Sequence, residues 1–406
     1  MRSRQVLVLK SPLAQRNKVR YLKFPQALFQ EGSPLNNILQ SEKGAALVVT
    51  LAIVGILITA ALQLGKYTGD SVMGTLKGKD MFQAEQLALS GIELAKLILS
   101  EDAAENESDS VQEAWADPDK LSQAVSQLGL EENSLTIKIT DELSRIQVNA
   151  LILEFPGNEL NPDQFRIWEN LLRLRFSDDK AVDERDPAEI INSMKDWLDS
   201  EDDDAISGIS GAESDYYLDL DPPYTCTNGP FNHIDELFSV KGISKDLLKN
   251  ENLDDPDEID EEVVAVEIGD VFTVYGLSSE KTENGGYRYS GKVNINTADI
   301  EVLAALLPEG MEDLAYDLVD FRGRKAEEGD LFINPLDKGW YKDIIELSEK
   351  EQKRFERLIT YSSNIFRVEC TAKEKDLGIT LVAVLKREKH KESGKWMCRI
   401  IRMERK

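Results

Sequence analysis

The chain has 406 residues, too many for one compact core, so we expect two or three domains. Its composition is 41% hydrophobic and 30% charged, which excludes a disordered, collagen-like or polytopic membrane protein. The formal net charge of −27 describes an acidic protein that repels phosphate, so we expect no nucleic-acid partner. Two histidines, neither in a recognisable motif, and three cysteines without a CxxC pair support neither a zinc site nor a catalytic triad.

The N-terminal region has the charge pattern of an oriented membrane helix. Residues 1–44 carry eight Lys or Arg against two Glu, and residues 45–64 (AALVVTLAIVGILITAALQL) carry no charge. About 20 apolar residues cross the hydrocarbon core of a bilayer, and the basic flank stays in the cytoplasm. A buried core helix would show a polar face, and a cleaved secretory signal would have a shorter apolar core. We therefore predict a single membrane helix that is retained.

Helical periodicity continues beyond the membrane segment and predicts a stem helix over residues 65–100. Four glycines near the start of this stem, each costing up to about 1 kcal/mol relative to alanine, are expected to weaken it. The outer half has one apolar stripe, which must pack on a globular domain. The glycines are Gly65, Gly69, Gly74 and Gly78, and the stripe comprises Ala84, Leu87, Ala88, Gly91, Ile92, Ala95 and Leu99.

The body alternates between strand and helix patterns, which indicates an α+β fold. Strands are predicted at 134–140 and 144–152, which alternate like a pair, at 271–275 and 292–295, and at 365–371, 379–386 and 396–402, which form a C-terminal antiparallel sheet. Helices are predicted over 161–199 and 299–324, with an acidic loop rich in Gly and Pro over 200–230.

Two segments of the body have a helix–turn–helix pattern. They are residues 234–249, with a turn at Gly242, and residues 300–321, with a turn at Gly310. Such hairpins bind DNA when their backbone N–H groups face a phosphate, and otherwise they are packing modules. The second turn carries three carboxylates within residues 309–313, which would repel phosphate, so we favour the packing module.

The acidic loop is a candidate cation site. Carboxylates are dense between residues 199 and 221, and glycines Gly208 and Gly211 permit tight turns among them. Calcium takes six to eight oxygen ligands and would offset their mutual repulsion. The spacing is not that of an EF-hand, and a solvated acidic loop is the alternative. If the body lies outside the cytoplasm, one disulfide is also conceivable between Cys370 and Cys398, which lie in terminal strands that we expect to be close.

The N-terminal junction resembles the class III signal of type IV pilins and pseudopilins. The matching residues are Glu42-Lys43-Gly44, followed directly by the apolar helix. By this resemblance, a prepilin leader peptidase cuts after Gly44, and Ala45 becomes a methylated N-terminus. Most members carry a glutamate at the fifth position of the cleaved chain, where this chain has Val49. The K-type pseudopilins of type II secretion systems characteristically lack that glutamate.

An ordered series of motifs in the body is similar to the same K-type family. The series extends from about residue 43 to residue 370, and its order is more specific than any single motif. Its members are a strand ending in an Asn-rich motif (145–151), Asp196-Trp197-Leu198-Asp199, Gly211-Ala212-Glu213, Tyr216-Tyr217, Pro222-Pro223-Tyr224, Asn228, Glu236-Leu237 and the Asn-x-Asn-Thr-Ala motif of residues 294–298.

The resemblance implies an assembly protein of the inner membrane that is not an enzyme. It would span the membrane once, with a periplasmic body that caps the pseudopilus of a type II secretion system. Its partners would be pseudopilins I and J, the leader peptidase and the inner-membrane secretion platform. Pseudopilins I and J would pack along the apolar stripe of the stem. A membrane-anchored DNA-binding protein of the competence type is the alternative. The implied cofactor is Ca²⁺, with the ligands Asp199, Asp202, Glu213, Asp215 and Asp221.

The implied fold is α+β: a long N-terminal transmembrane and stem helix and a pilin-like antiparallel sheet, with a large α-helical, SAM-like insertion. The domains expected along the chain are a basic cytoplasmic leader (1–44), a transmembrane helix (45–64), a stem helix (65–100), pilin-like strands (101–152), a first SAM-like domain with the acidic loop (153–270), further strands (271–298), a second SAM-like domain (299–362) and a C-terminal antiparallel sheet (363–406).

Overall fold

The computed structural model describes residues 42–130, 134–177, 186–200, 206–208, 210–245, 247, 268–282, 285–326, 331–375 and 377–406. The chain divides into two compact units, Met1–Leu76 and Lys77–Lys406. In chain order the elements are α1 (Glu42–Glu105), α2 (Pro118–Ser126), β1 (Leu135–Asp141), β2 (Ile146–Gln147), α3 (Pro162–Ser177), α4 (Pro187–Leu198), α5 (Ser214–Leu218), α6 (Ile268–Val271), β3 (Phe272–Thr273), β4 (Val293–Asn294), α7 (Ile300–Leu306), α8 (Leu314–Gly323), α9 (Glu349–Leu358), β5 (Ile359–Thr360), β6 (Ile365–Glu374), β7 (Leu377–Lys389) and β8 (Trp396–Arg405).

Helix α1 is a single element of 64 residues. Its first third is apolar and exposed, and it is long and apolar enough to cross a membrane. This fits the predicted single-pass anchor. The glycines of the stem do not interrupt the helix, because backbone hydrogen bonds continue through them and α1 ends only at Glu105. Their expected weakening effect therefore does not break the helix.

The outer half of α1 packs on a four-stranded sheet, as the apolar stripe predicted. Ala84, Ala88, Ile92, Ala95 and Leu99 are buried in one cluster with residues of β1, β6 and β7. Helix and sheet approach closely at the glycine of the stripe, Gly91, where a Cβ atom would lie 2.9 Å from Cys370 Sγ. The expectation that partner subunits pack through this stripe is therefore wrong, because the protein's own sheet covers it.

The sheet has the order β1-β6-β7-β8, and all neighbouring strands are antiparallel. The three predicted C-terminal strands are confirmed. The predicted pairing of strand 134–140 with strand 144–152 is wrong, because β1 pairs with β6 and β2 pairs in parallel with β3. The physical reason lies at the end of β1. The Asp141 carboxylate accepts a hydrogen bond from Leu143 N at 2.7 Å and starts a 3-10 turn, which directs the chain away from the sheet.

The helical modules surround a separate core. Trp168 of α3 stacks on Phe272 of β3 with ring centroids 4.7 Å apart. Asn149 is buried beside them, donates to Phe231 O and Val274 O, and accepts from Phe231 N, so one amide ties three chain segments together. Buried backbone groups need hydrogen-bond partners, and the Asn149 amide supplies them for Phe231 and Val274. This explains why an asparagine stands in the motif that follows the strand.

The two helix–turn–helix segments differ in form. The second is confirmed as α7 and α8, joined by a turn at Gly310 with φ +83°. The first begins with a 3-10 helix, Ile234–Ser239, and turns at Gly242 with φ +86°. Residues 248–249, which complete that predicted segment, lie outside the described residues.

The structure contradicts a disulfide between Cys370 and Cys398. Strand β7 separates β6 from β8, so the two cysteines are not on neighbouring strands. Cys370 lies opposite Leu381 and Cys398 lies opposite Arg387, positions that are about 20 Å apart along β7 at ~3.3 Å per residue. A disulfide needs Cα atoms within about 7 Å of each other. All three cysteines are buried.

Candidate functional site

Three buried carboxylates meet where α4 ends and α5 begins. Asp196 lies in the last turn of α4, Asp199 is the residue that caps it, and Glu213 precedes α5. These residues are 0%, 3% and 6% exposed, and each offers a carboxylate oxygen within 4.8 Å of the others. We call Asp196, Asp199 and Glu213 the carboxylate cluster.

The loop after α4 folds back onto Asp196. Ser207 N lies 3.1 Å from both carboxylate oxygens of Asp196 and donates to them. Gly211 packs so tightly that a Cβ atom there would lie 2.0 Å from Asp196 Oδ2 and 2.8 Å from Ser207 N. Lys241 Nζ holds the same loop by donating to Ser210 O at 3.0 Å. A glycine is therefore required at position 211 for the loop to close on the cluster.

The structure brings together only part of the predicted ligand set. Asp199 and Glu213 belong to the carboxylate cluster, whereas Asp215 and Asp221 are exposed and lie outside it. Asp202 lies outside the described residues. Sequence reasoning missed Asp196, although the Asp-Trp-x-Asp motif was recognised. Residues three apart share a face of a helix, so the spacing of Asp196 and Asp199 was the available signal.

The chemistry of the cluster fits a hard cation. Burying three carboxylates is unfavourable unless positive charge or hydrogen bonds compensate them. Lys195 Nζ lies 2.8 Å from Asp199 Oδ2 and supplies one positive charge. Oxygen donors at this density are the ligands that calcium takes. The carboxylate cluster is therefore a candidate calcium site.

An aromatic cluster lies beside the carboxylates. Trp197 meets Tyr217 with ring centroids 5.0 Å apart, and Tyr217 meets Tyr224 at 5.3 Å. Tyr224 Oη donates to Ser239 O at 2.9 Å, which joins the Pro-Pro-Tyr motif to the 3-10 helix. The tyrosine motifs recognised in the sequence thus pack the loop between α4 and that helix, and they hold Glu213 near Asp196.

A second acidic group contains its own counter-cation. Asp102 of α1 and Asp109 in the following loop both pair with Arg387 of β7, at 3.0 Å and 2.5 Å, and Glu113 lies beside them. Arg387 also donates to Leu99 O and Ser363 O. We call Arg387 with these three acids the arginine cluster. Because the Arg387 guanidinium pairs with two of these carboxylates, this group connects the stem helix, the sheet and the loop.

Burial raises the pKa of two acids of the arginine cluster, Asp109 and Glu113. Desolvation raises the pKa of Asp109 to about 6, against the opposing effect of Arg387. Desolvation, together with the nearby charge of Asp102, raises the pKa of Glu113 to about 8. Glu113 accepts a hydrogen bond from Trp115 Nε1 at 2.6 Å, which only partly lowers its pKa.

A pH dependence of stability follows from Glu113. A carboxyl group that holds its proton more tightly in the folded state stabilises the fold at low pH, and this contribution is lost as pH rises from about 4.5 to 8. Glu113→Gln should therefore raise the melting temperature at pH 8 and leave it nearly unchanged at pH 5, because glutamine still accepts from Trp115. Thermal unfolding across this pH range measures the effect. The exposed neighbour Glu107→Gln is the control, and equal pH profiles for both variants would contradict the argument.

The hairpin between α7 and α8 does not have the charge of a phosphate site. Glu309 and Asp313 are exposed at the turn, and Glu312 is half-buried between them. Carboxylates here oppose a nucleic-acid backbone. The predicted processing residues, Gly44 and Ala45, lie in the first turn of α1, and their surroundings are outside the described residues.

The fold combines a long N-terminal helix, whose outer half packs on an antiparallel sheet, with a helical insertion that carries the carboxylate cluster. The family model of type II secretion system protein K matches residues 144–250. The solved GspK–GspI–GspJ complex of the type 2 secretion system of enterotoxigenic Escherichia coli contains a chain with a similar fold. The TM-score is 0.54 at 15% identity, over 82% of this chain and 99% of that one.

Curated relatives carry the same family description. A type II secretion system protein K of Pectobacterium carotovorum is 29% identical over 51% of this chain and 60% of its own length. One of Pseudomonas aeruginosa is 24% identical over 71% of this chain and 74% of its own length. The match therefore spans less than two thirds of the first relative. The chain is therefore similar to type II secretion system protein K over part of its length.

Proposed function

We propose that this protein is a minor pseudopilin that caps the periplasmic pseudopilus of a type II secretion system. Its role is structural, and it is not an enzyme. The observation that supports this most is α1, whose first third is apolar and exposed and whose outer half packs on the protein's own sheet. Such a helix can anchor the body in a membrane and still present a flank to neighbouring subunits.

The same proposal includes the orientation and processing of the chain. The basic residues before the helix favour a cytoplasmic N-terminus and hence a periplasmic body in the inner membrane. Cleavage after Gly44 by the leader peptidase, followed by methylation of Ala45, would leave the apolar helix as the N-terminus. Val49 places no carboxylate in the bilayer, where one costs at least about 2.5 kcal/mol.

Calcium is the proposed cofactor of the carboxylate cluster. Asp196, Asp199 and Glu213 would hold it, with the loop closed by Gly211. The ion would supply positive charge that lets these buried carboxylates approach one another, and it would order the loop between α4 and α5. Asp196 replaces Asp215 and Asp221 in the ligand set that we propose.

The proposed partners are pseudopilins I and J, held in an assembly on the secretion platform of the inner membrane. The solved GspK–GspI–GspJ complex of E. coli supports them. The stripe of α1 is covered by the sheet, so we propose that these neighbours pack on the exposed apolar residues of the stem. These residues are Tyr67, Val72, Met73 and Leu76.

Co-purification tests the proposed assembly. The full chain, co-expressed with pseudopilins I and J of its own system, should be recovered with both in detergent. Val72→Glu with Leu76→Glu should reduce recovery of the neighbours about tenfold or more, because a charge in an apolar helix contact is unfavourable. Gln83→Glu with Gln86→Glu, also exposed on α1, is the matched control and should have little effect. Recovery of neither neighbour with the parent chain would refute the proposed function.

A further inference from the structure

The C-terminal hairpin is basic in an otherwise acidic protein. Residues 386–406, which comprise the end of β7, the turn and β8, carry nine Lys or Arg and three Glu, a net charge of +6 against −27 for the whole chain. We call this segment the basic hairpin. A basic segment on an acidic protein attracts a partner that carries negative charge and guides its association.

Some of these cations are paired and others face solvent without an ion-pair partner among the described residues. Arg387 is buried in the arginine cluster, and Arg399 and Arg402 pair with Glu388 and Glu404 of the hairpin itself. Four exposed cations have no ion-pair partner within the part of the chain that the structure describes. These are Lys389, Lys391, Lys395 and Arg405. Their charge is therefore available to a second molecule.

The basic hairpin also has an open strand edge. Strand β8 ends the sheet order β1-β6-β7-β8, and no described strand pairs with its outer side. His390 N donates to Lys395 O at 2.8 Å. Hydrogen-bonded and non-hydrogen-bonded residue pairs alternate along an antiparallel ladder. Since Lys395 is bonded to His390 across the ladder, the N–H groups of Trp396, Cys398 and Ile400 point away from β7, to the free edge. A strand from another molecule can pair with such an edge, because its carbonyl oxygens can accept hydrogen bonds from these exposed N–H groups.

Apolar side chains alternate with the cations along the same strand. Met397, Ile401 and Met403 are exposed on β8, and Arg399 lies between the first two. Lys389 Nζ lies 4.9 Å above the ring of Trp396, which holds the two strands in register near the turn. An extended segment that alternates acidic and apolar residues would match both the charges and the apolar side chains.

We infer that a neighbouring pseudopilin subunit adds an extended acidic segment to the free edge of β8, as a fifth strand of this sheet. The backbone of that segment would pair with the open N–H groups, and its carboxylates would meet the uncompensated cations. This inference rests on the proposed function, because it names the surface that a neighbour uses. An anionic lipid surface would use the cations but not the strand edge, and so the edge favours a polypeptide.

Charge reversal of the basic hairpin tests the inference. The full chain in detergent, with Lys389→Glu, Lys391→Glu and Lys395→Glu, is compared with a control triple variant, Lys281→Glu, Lys338→Glu and Lys350→Glu, whose lysines are also exposed. The affinity of each for pseudopilins I and J is measured at low and high salt. The hairpin variant should bind one neighbour about tenfold more weakly and lose most of the salt dependence, while the control stays within about twofold of the parent.

Hydrogen exchange distinguishes strand addition from charge attraction alone. On binding of the neighbour, the amides of Trp396, Cys398 and Ile400 should become protected in the parent chain. Equal binding by the hairpin and control variants, or unprotected amides, would overturn the inference and leave the proposed function intact. Protection that appears only when a second copy of this chain or anionic vesicles are added would also overturn it. If the parent chain binds neither pseudopilin, the proposed function fails and this inference fails with it.

Discussion

Arg387→Met is expected to lower the free energy of unfolding by about 3–5 kcal/mol, because it removes one partner of a buried charge pair and leaves the other uncompensated. The side chain of Arg387 is 5% exposed, and its two carboxylate partners are at most 10% exposed. Methionine retains much of the volume of the side chain, so the loss reflects charge and hydrogen bonds. The loss of unfolding free energy should be smaller at pH 5. Asp109 has a pKa of about 6 and is largely protonated at that pH, so less negative charge is left uncompensated.

Denaturant unfolding of the purified protein measures this loss. Arg399→Met provides a matched control on the adjacent strand, because Arg399 is exposed and its pair with Glu388 is 3.5 Å long. An exposed pair contributes roughly 0–1 kcal/mol. If Arg387→Met and Arg399→Met destabilise the protein equally, the arginine cluster does not connect the stem helix to the sheet in the way described.

Millimolar calcium is expected to raise the melting temperature of the full chain in detergent by about 4 °C or more. A ligand at 100 times its Kd adds about 2.7 kcal/mol of stability. One kcal/mol shifts the melting temperature of a large domain by about 2–4 °C. Magnesium should give a smaller shift, because it demands a stricter octahedron of ligands and releases its water reluctantly.

Variants of the loop assign that shift to the carboxylate cluster. Asp196→Asn should abolish it by removing a central ligand charge. Gly211→Ala should abolish it as well, because a Cβ atom would lie 2.0 Å from Asp196 Oδ2 and force the loop open. Asp215→Asn is the control, since Asp215 is exposed outside the cluster, and it should respond like the parent. Equal shifts with calcium and magnesium, or an unchanged response in Asp196→Asn, would identify the loop as a solvated acidic surface.

The features predicted correctly from the sequence depend on local periodicity. The apolar run and the stripe through Ala88 and Ala95 identified α1 and the face it buries, and alternation identified the last three strands. The partner of β1 was missed because it is β6, more than 220 residues later in the chain. Alternation shows that a segment is a strand but does not name its partner. The turn at Asp141, which separates β1 from the next segment, depends on one side-chain hydrogen bond.

The candidate sites were predicted less completely than the fold. The density of acids pointed to the loop that contains Asp199 and Glu213 of the carboxylate cluster. Burial selects among those acids, and burial depends on tertiary packing. Asp196 is buried because Ser207 and Gly211 fold over it, and a count of carboxylates cannot show that. The arginine cluster gave no sequence signal, because Asp102 and Arg387 are brought together only by the contact between the stem helix and β7.

Mass spectrometry of the mature N-terminus tests the identification of this chain as a pseudopilin most directly. If the chain is cut on the cytoplasmic side of its apolar helix, directly after Glu42-Lys43-Gly44, the helix stays in the mature protein. Gly44→Leu is the matched variant, and it should leave the chain uncleaved and still in the membrane. The account predicts that the mature chain begins at Ala45 with a methylated amine, and a chain that begins after residue 64 would contradict it.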